Sequence, residues 1–461
     1  MLSTLENEDD MAGLGWFTER LHSFGELTAM IWKDNSFSYS LLLKHSDDWL
    51  IHLTDAGISK GSCVAIVGDF SPGTYSLLLA LIRGGYTAVP ISKSGYSKSS
   101  EKLKIACVKY VIEFDNDDNF VEKIIEKPNQ HPLVKKLISK KEPGLILFTS
   151  GTSGNPNAVL HSFSRLLNKS RKPKRGKIVL TFLLLEHIGG IDILLHLFSI
   201  GGTAVFLGDR NAETVCKTVE KYKVDLIPTT VTFLKMLLMS KAYEKYDLSS
   251  LKIISYGSEP MPSSLLVTLN KVLPKIIFNQ TYGLSELAVL QTKSKSNDST
   301  WFSIKNSIET KIIDGRLWIK NNSAMLGYLN SDNNFDSDGW FDSGDKVIQE
   351  DEFFKILGRE SELINIGGEK VFPSEIESVI LELPDVYDVT VSGKLNVVMG
   401  SVVIAHVKPI EESNKEYLIN KIRNHCKKRL DASYKVPAVI KISNKDHHSE
   451  RFKKIRAGFD S

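Results

Sequence analysis

The hydrophobic residues of this chain come mostly in short continuous runs. Cys63–Gly68 (CVAIVG), Thr87–Ile91 (TAVPI) and Leu145–Thr149 (LILFT) are examples. Runs of this length, rich in β-branched residues and bounded by turn residues, predict strands buried on both faces. Tyr110–Glu113, Val179–Phe182, Thr203–Leu207, Leu226–Pro228 and Lys252–Tyr256 continue the series. Stretches with helical spacing fall between them, at Tyr75–Gly84, Ala212–Tyr222 and Val231–Met239. Strand–helix alternation predicts a layered α/β architecture with largely parallel sheets.

After about Ser294 the pattern changes. Short strands are predicted at Ile308–Ile313, Arg316–Ile319 and Phe353–Leu357, forming a small β subdomain. Beyond it come helices at Pro373–Glu382 and Lys415–Arg429, strands at Val386–Ser392 and Ser401–Val407, and a basic tail. A boundary is expected near Gly358–Glu362, dividing the chain into residues 1–358 and a small α+β domain of residues 359–461. At its start, Ser374 is expected to cap a helix beginning at Glu375, with Glu377 as its capping partner.

Composition adds limits. Of 461 residues, 42% are hydrophobic and 25% charged, enough apolar material for several cores. A net charge of +3 does not point to nucleic acid. Cys63, Cys107, Cys216 and Cys426 are scattered without metal-ligand spacing, so a reduced, cytoplasmic protein is expected. The N-terminus MLSTLENEDD is acidic and is not a secretory signal, and no transmembrane segment is expected.

Five segments carry candidate chemistry. In the first, an apolar strand runs into Thr149, Ser150, Gly151, Thr152, Ser153 and Gly154. Glycines let backbone N–H groups approach an anion, and hydroxyls add donors, so the loop suits phosphate. No Gly-Lys-Ser/Thr follows, so it is not a Walker loop. Alone, it is equally an ordinary polar turn. In the second, Phe278–Glu286 offers Tyr282 and Gly283, then the Ser285 hydroxyl and the Glu286 carboxylate. The third, Gly339–Asp345 (GWFDSGD), ends on a carboxylate able to accept from ribose hydroxyls. The fourth, Leu357–Glu377, carries Arg359, a donor fork suited to phosphate or ribose oxygens. The fifth is the tail Ser449–Arg456, on its own a solvated basic terminus.

In that order the segments resemble the superfamily of acyl-CoA synthetases, nonribosomal adenylation domains and beetle luciferase, over about Phe37 to Arg456. The resemblance implies a large N-terminal domain hinged to a small C-terminal one. It also implies two half-reactions: ATP and a carboxylate give an acyl-adenylate and pyrophosphate, then a thiol takes the acyl group. Residue by residue, it implies a phosphate loop at Thr149–Gly154 and an adenine pocket of Gly257, Ser258, Glu259, Thr281 and Tyr282. It places Ser285 on the α-phosphate, Glu286 on Mg²⁺, and Asp345 and Arg359 on the ribose. Glu362 falls at the hinge, and Lys453, with Lys454 the alternative, is the tail lysine of the adenylating state. The chain departs from the family pattern in four places. Asn157 stands for the loop lysine, Ala158 for its glycine, Glu362 for the hinge aspartate and Phe452 for the glycine before the tail lysine.

Leu183–Ile191 resembles the histidine-glycine segment beside the acyl pocket, with His187 on the pocket side. Ile188 stands where amino-acid-activating relatives carry an aspartate, which disfavours an α-amino acid. The substrate implied is a fatty or aromatic acid. Leu430–Pro437 resembles the Tyr-Lys-x-Pro segment of CoA ligases, so coenzyme A is the expected acceptor. A carrier-protein phosphopantetheine is the alternative. A non-catalytic nucleotide-binding relative and a luciferase-like or reductase-coupled activation are the rival classes.

Overall fold

The structure is a computed structural model. It describes residues 13–96, 99–125, 131–149, 156–305, 307–396, 400–410 and 414–443.

Two seven-stranded sheets dominate the N-terminal part. One runs in the order Gly327–Tyr328, Asn157–Ser162, Gly144–Thr149, Thr87–Ile91, Cys63–Val67, Val108–Phe114, Phe120–Ile124. The other runs Ile277–Gln280, Ile253–Gly257, Leu226–Thr230, Ile178–Thr181, Thr203–Phe206, Thr28–Trp32, Asn35–Ser38. The second sheet is parallel except at its Asn35–Ser38 edge. The first is more mixed than the apolar runs predict: a parallel centre is flanked by antiparallel strands on both sides. The cause is antiparallel pairing of neighbours in sequence: Asn157–Ser162 on Gly144–Thr149 and Phe120–Ile124 on Val108–Phe114.

A helical layer lies between the sheets. Pro72–Arg83 and Ile188–Ile200 are apolar nearly all round and share one core with residues of both sheets, including Val64, Leu145, Met30 and Ala204. Tyr75 stacks on Phe198 between the two helices, centroids 4.6 Å apart. A helix that is apolar on every side needs cover on every side, which is why these two are internal. Pro72–Arg83 starts earlier than its apolar run: Ser71 and Thr74 form a capping box and Pro72 occupies the first turn.

A six-stranded antiparallel sheet from Thr292 to Arg359 forms the β subdomain. The C-terminal part has its own core, in which the helices Pro373–Ile380 and Lys415–Arg429 pack on the three-stranded sheet Val386–Asn396, Gly400–Pro409, Val439–Ile442. The fold is therefore a large α/β domain with a smaller α+β domain, as expected. The expected cap is not found. The helix begins at Pro373, as its spacing predicts and ahead of the Glu375 start that the cap requires, and Phe372 before it makes no side-chain cap. Ser374 Oγ donates instead to Leu357 O at 2.7 Å, and the buried Glu377 accepts from Val391 N at 2.9 Å. Both side chains tie the helix to neighbouring strands.

All four cysteines are free and buried. Burial pushes the Cys426 thiol up to about 11, and no helix among the described residues is long and apolar enough to cross a membrane.

Candidate active site

One cavity of about 1150 Å³ lies between the two domains. Strand ends of the second sheet deliver its middle. Ile253–Gly257 ends on Gly257 and Ser258, the latter held at φ 70°, a left-handed conformation that costs a non-glycine residue free energy. Glu259 accepts from Thr232 N (3.2 Å) and Thr232 Oγ1 (2.8 Å), which fixes the carboxylate at the start of the helix Val231–Ser240. Thr281 is bonded back to Tyr256 O through both N and Oγ1. Gly283 opens the short hairpin Gly283–Leu284/Ala288–Val289, from whose turn Ser285 and Glu286 line the cavity.

Tyr282, Asp345 and Arg359 meet although they come from three separate segments. The Tyr282 hydroxyl donates to Asp345 Oδ2 at 2.6 Å, and Arg359 Nε lies 3.4 Å from Asp345 Oδ1. Strand pairing imposes this, because Asp345 and Arg359 are opposite each other in the antiparallel register. Burial raises the Asp345 carboxyl, opposed by the Arg359 charge and the Tyr282 hydroxyl. Burial likewise pushes the Tyr282 phenol far up, with Asp345 adding to it. The Tyr282 ring is buried and stacks on Phe302 at 5.7 Å.

Glu286 Oε1 accepts from Tyr328 OH at 2.8 Å, on the short strand beside Asn157–Ser162. That single bond leaves most of the carboxylate's lone pairs for another ligand. Among the described residues no cluster of three or more His, Cys, Asp or Glu forms a metal cage. A lone carboxylate fits Mg²⁺ held jointly with nucleotide phosphate oxygens, the usual manner for that ion.

Part of the cavity's lining is apolar. Phe182, Leu183, Leu184, Ile188, Val231 and Met239 belong to that part, with His187 at the N-cap of Ile188–Ile200. From the small domain, Asp388 enters the lining and lies 3.4 Å from Lys235, while Glu362 lines the cavity beside Arg359. Thr149 also lines it, paired with Asn157 across the hairpin. Ser150, Gly151, Thr152, Ser153, Gly154, Lys453 and Lys454 lie outside the described residues.

Several contributors carry no mark in the sequence pattern. Asn330 accepts from Ala158 N at 2.8 Å and donates to Pro156 O at 2.9 Å, gripping the exit of the Thr149–Gly154 segment from 172 residues away. Replacing Asn330 with Ala is expected to lower stability by about 0.5–1.5 kcal/mol, since the bond to Pro156 O is exposed and water can reach that carbonyl once the side chain is gone. The KM for ATP should rise with it. Chemical denaturation and nucleotide titration check both, and an unchanged KM would detach Asn330 from nucleotide binding.

His161 is the second. It is fully buried, and its Nε2–H donates to Ser285 O at 2.6 Å. Burial lowers its pKa to about 4, and burial does the same to His196. In the unfolded chain an imidazole titrates near 6.5, so below that pH the unfolded state takes up protons that the folded state refuses. This stabilisation is complete above pH 6.5 and is lost as pH falls toward 4. From pH 7 to 5, His161 alone should remove about 2 kcal/mol, and His161→Gln should flatten that slope. Denaturant midpoints across this window test it.

Comparison with known proteins places this geometry in context. The model of the AMP-binding enzyme family matches residues 17–329, and that of the AMP-binding enzyme C-terminal domain matches residues 375–453. The chain is 25% identical over 458 residues to a 2-succinylbenzoate–CoA ligase of Bacillus cereus, spanning 92% of this chain and 93% of that one. Its fold is similar to that of the anthranilate CoA ligase AuaEII in complex with anthranoyl-AMP. The TM-score is 0.82 at 18% identity, covering 96% of this chain and 95% of that one. It is also similar to the amide bond synthetase McbA of Marinactinospora thermotolerans. There the TM-score is 0.77 at 20% identity, with 96% and 98% covered.

Proposed function

The chain belongs to the family of AMP-binding enzymes, which activate carboxylic acids with ATP as acyl-adenylates, and from that premise we propose that it passes an aromatic or fatty acyl group to coenzyme A. The observation that carries this reading is that Glu286, Asp345 and Arg359 line the same cavity as the apolar Phe182, Leu183, Leu184 and Ile188. Nucleotide and acid would lie side by side there. The aromatic acids named in relatives such as the 2-succinylbenzoate ligase favour an aryl substrate over a long fatty one.

In the first half-reaction a carboxylate oxygen of the acid bonds to the α-phosphorus of ATP as the bond to the β-phosphate oxygen breaks, and pyrophosphate leaves. Arg359 and Asp345 hold the ribose and Ser285 donates to the α-phosphate. Fixed donors matter because charge builds on the phosphoryl oxygens during transfer. Glu286 would hold Mg²⁺, which when bound would supply positive charge to those oxygens. The Ile188–Ile200 N-terminus and His187 border the acid, and the apolar lining excludes water from the mixed anhydride. In the second half-reaction the thiolate sulfur bonds to the acyl carbon and AMP leaves with the electron pair.

Rotation of the small domain between the two steps would break the Lys235–Asp388 pair. Asp388 is only 3% exposed, so that pair crosses between the two domains where little water screens it.

Acid-dependent ATP–pyrophosphate exchange across benzoic, cinnamic, fatty and amino acids tests the reading. Exchange with aryl acids and thioester formation with free coenzyme A are expected. Thioester formation only on a phosphopantetheinylated carrier would reassign the acceptor. Nucleotide binding without exchange for any acid would sink the catalytic reading.

A further inference from the structure

The modest net charge hides one local concentration. From Lys169 to Lys177 the chain reads KSRKPKRGK, six cations in nine residues without an acid. The segment joins the helix Phe163–Asn168 to the strand Ile178–Thr181, and residues 171–176 are exposed.

Its base is clamped. Lys169 Nζ pairs with Asp192 and donates to Val289 O at 2.8 Å. Arg171 Nη2 donates to Gly13 O at 3.2 Å, and its guanidinium lies 5.7 Å from the Trp16 ring centre. Arg20 covers the same ring at 4.6 Å and donates to the carbonyls of Ser170 (3.0 Å) and Arg171 (2.6 Å). Beyond this clamp, Lys172, Lys174, Arg175 and Lys177 form no ion pair among the described residues. Asp225, next to Lys177, is already engaged by Lys252 at 2.9 Å.

The segment's end packs by way of Gly201 toward Phe24 and the turn that carries Leu27. A Cβ added to Gly176 would meet Gly201 O at 2.7 Å, and one added to Gly201 would meet the Phe24 ring at 2.7 Å. Phe24 O accepts from Leu27 N at 3.0 Å, and Leu27 is 55% exposed.

We propose that this face docks peripherally on an anionic membrane surface. The exposed Lys172, Lys174 and Arg175 and the half-buried Lys177 stand on the base clamped by Arg20 and Arg171. Such a cluster of exposed cations on a fixed base is complementary in charge to an anionic headgroup layer. Nucleic acid fits less well. Trp16 is covered by two guanidinium groups, so its face is not offered for base stacking, and the loop is neither a helix nor a ribbon shaped for a groove. Docking would hold the enzyme where apolar acids partition, but the contact itself does not depend on which acid is activated.

The test is cosedimentation of the full chain with vesicles of phosphatidylcholine, with and without phosphatidylserine, in the absence of substrate. Binding is expected only with phosphatidylserine, and it should weaken as salt rises. At about fivefold per cation, the triple variant Lys172→Gln, Lys174→Gln, Arg175→Gln should partition roughly a hundredfold more weakly. Its thermal midpoint should stay unchanged. The charge-preserving pair Lys172→Arg, Lys174→Arg should bind like the parent. Equal partitioning into both kinds of vesicle, or full binding by the triple variant, would overturn the proposal. So would capture by a DNA duplex with no vesicle binding, which would make the face a nucleic-acid site.

Discussion

Acid-dependent ATP–pyrophosphate exchange drops by about a hundredfold or more when Glu286 becomes Gln, close to 3 kcal/mol of lost transition-state stabilisation. The substitution is chosen because it is nearly isosteric. The amide oxygen can still accept from the Tyr328 hydroxyl, which lies 2.8 Å from Glu286 Oε1, so the hairpin turn keeps its anchor. What disappears is the negative charge that would share Mg²⁺ with the nucleotide phosphates. The magnesium concentration giving half-maximal exchange should rise in the same experiment. A wild-type rate at limiting magnesium would show that the carboxylate is structural, and Glu286 would leave the proposed site.

Lys453→Ala has the second large effect, and it should split the two half-reactions. Exchange is expected to fall by about two to three orders of magnitude, as when one fixed donor to a developing charge is removed. Thioester formation from supplied acyl-adenylate should continue near the parent rate, because the phosphoryl transfer is already complete. The effect is expected to be large here because Asn157 stands where the family resemblance implies a loop lysine. One cation fewer near the polyphosphate leaves more of the compensation to the tail. If Lys454→Ala alone produces the split, the assignment moves by one residue. If neither does, the tail has no part in adenylation.

Local pattern revealed much of the architecture for a definite reason. Ala212–Tyr222 and Lys415–Arg429 are helices with the bounds that their spacing predicts. Thr87–Ile91 is a strand over its whole apolar run, because a five-residue segment buried on both faces has no polar side to blur its edges. The Ser374 cap failed because capping was argued from residue types alone. Pro373 already occupies the first helical position, and the Ser374 hydroxyl has a better acceptor in Leu357 O, brought close by tertiary packing. The first sheet proved more mixed than predicted, since a continuous apolar run shows burial on both faces but not the direction of the neighbouring strand.

The nucleotide segments were ambiguous singly and legible as an ordered set, but the contacts between them were not. Tyr282 and Asp345 are 63 residues apart and bond at 2.6 Å. His161 reaches Ser285 across 124 residues, and Asn330 reaches Ala158 across 172. The basic run Lys169–Lys177 lay in plain view, but a small total charge averaged it away. Its meaning depended on seeing Arg171 and Arg20 clamp its base while Lys172, Lys174 and Arg175 stay exposed.

The sequence by itself determined the order of strands and helices and the ordered set of Thr149–Gly154, Tyr282–Glu286, Asp345 and Arg359, because periodicity and motif spacing are local properties of the chain. Only the tertiary structure decided which of these residues meet, which carboxylate keeps lone pairs free, and that Lys235 and Asp388 join the two domains. Those contacts are set by sheet register and by helices packed between sheets, where a shift of one residue would turn each side chain to the other face.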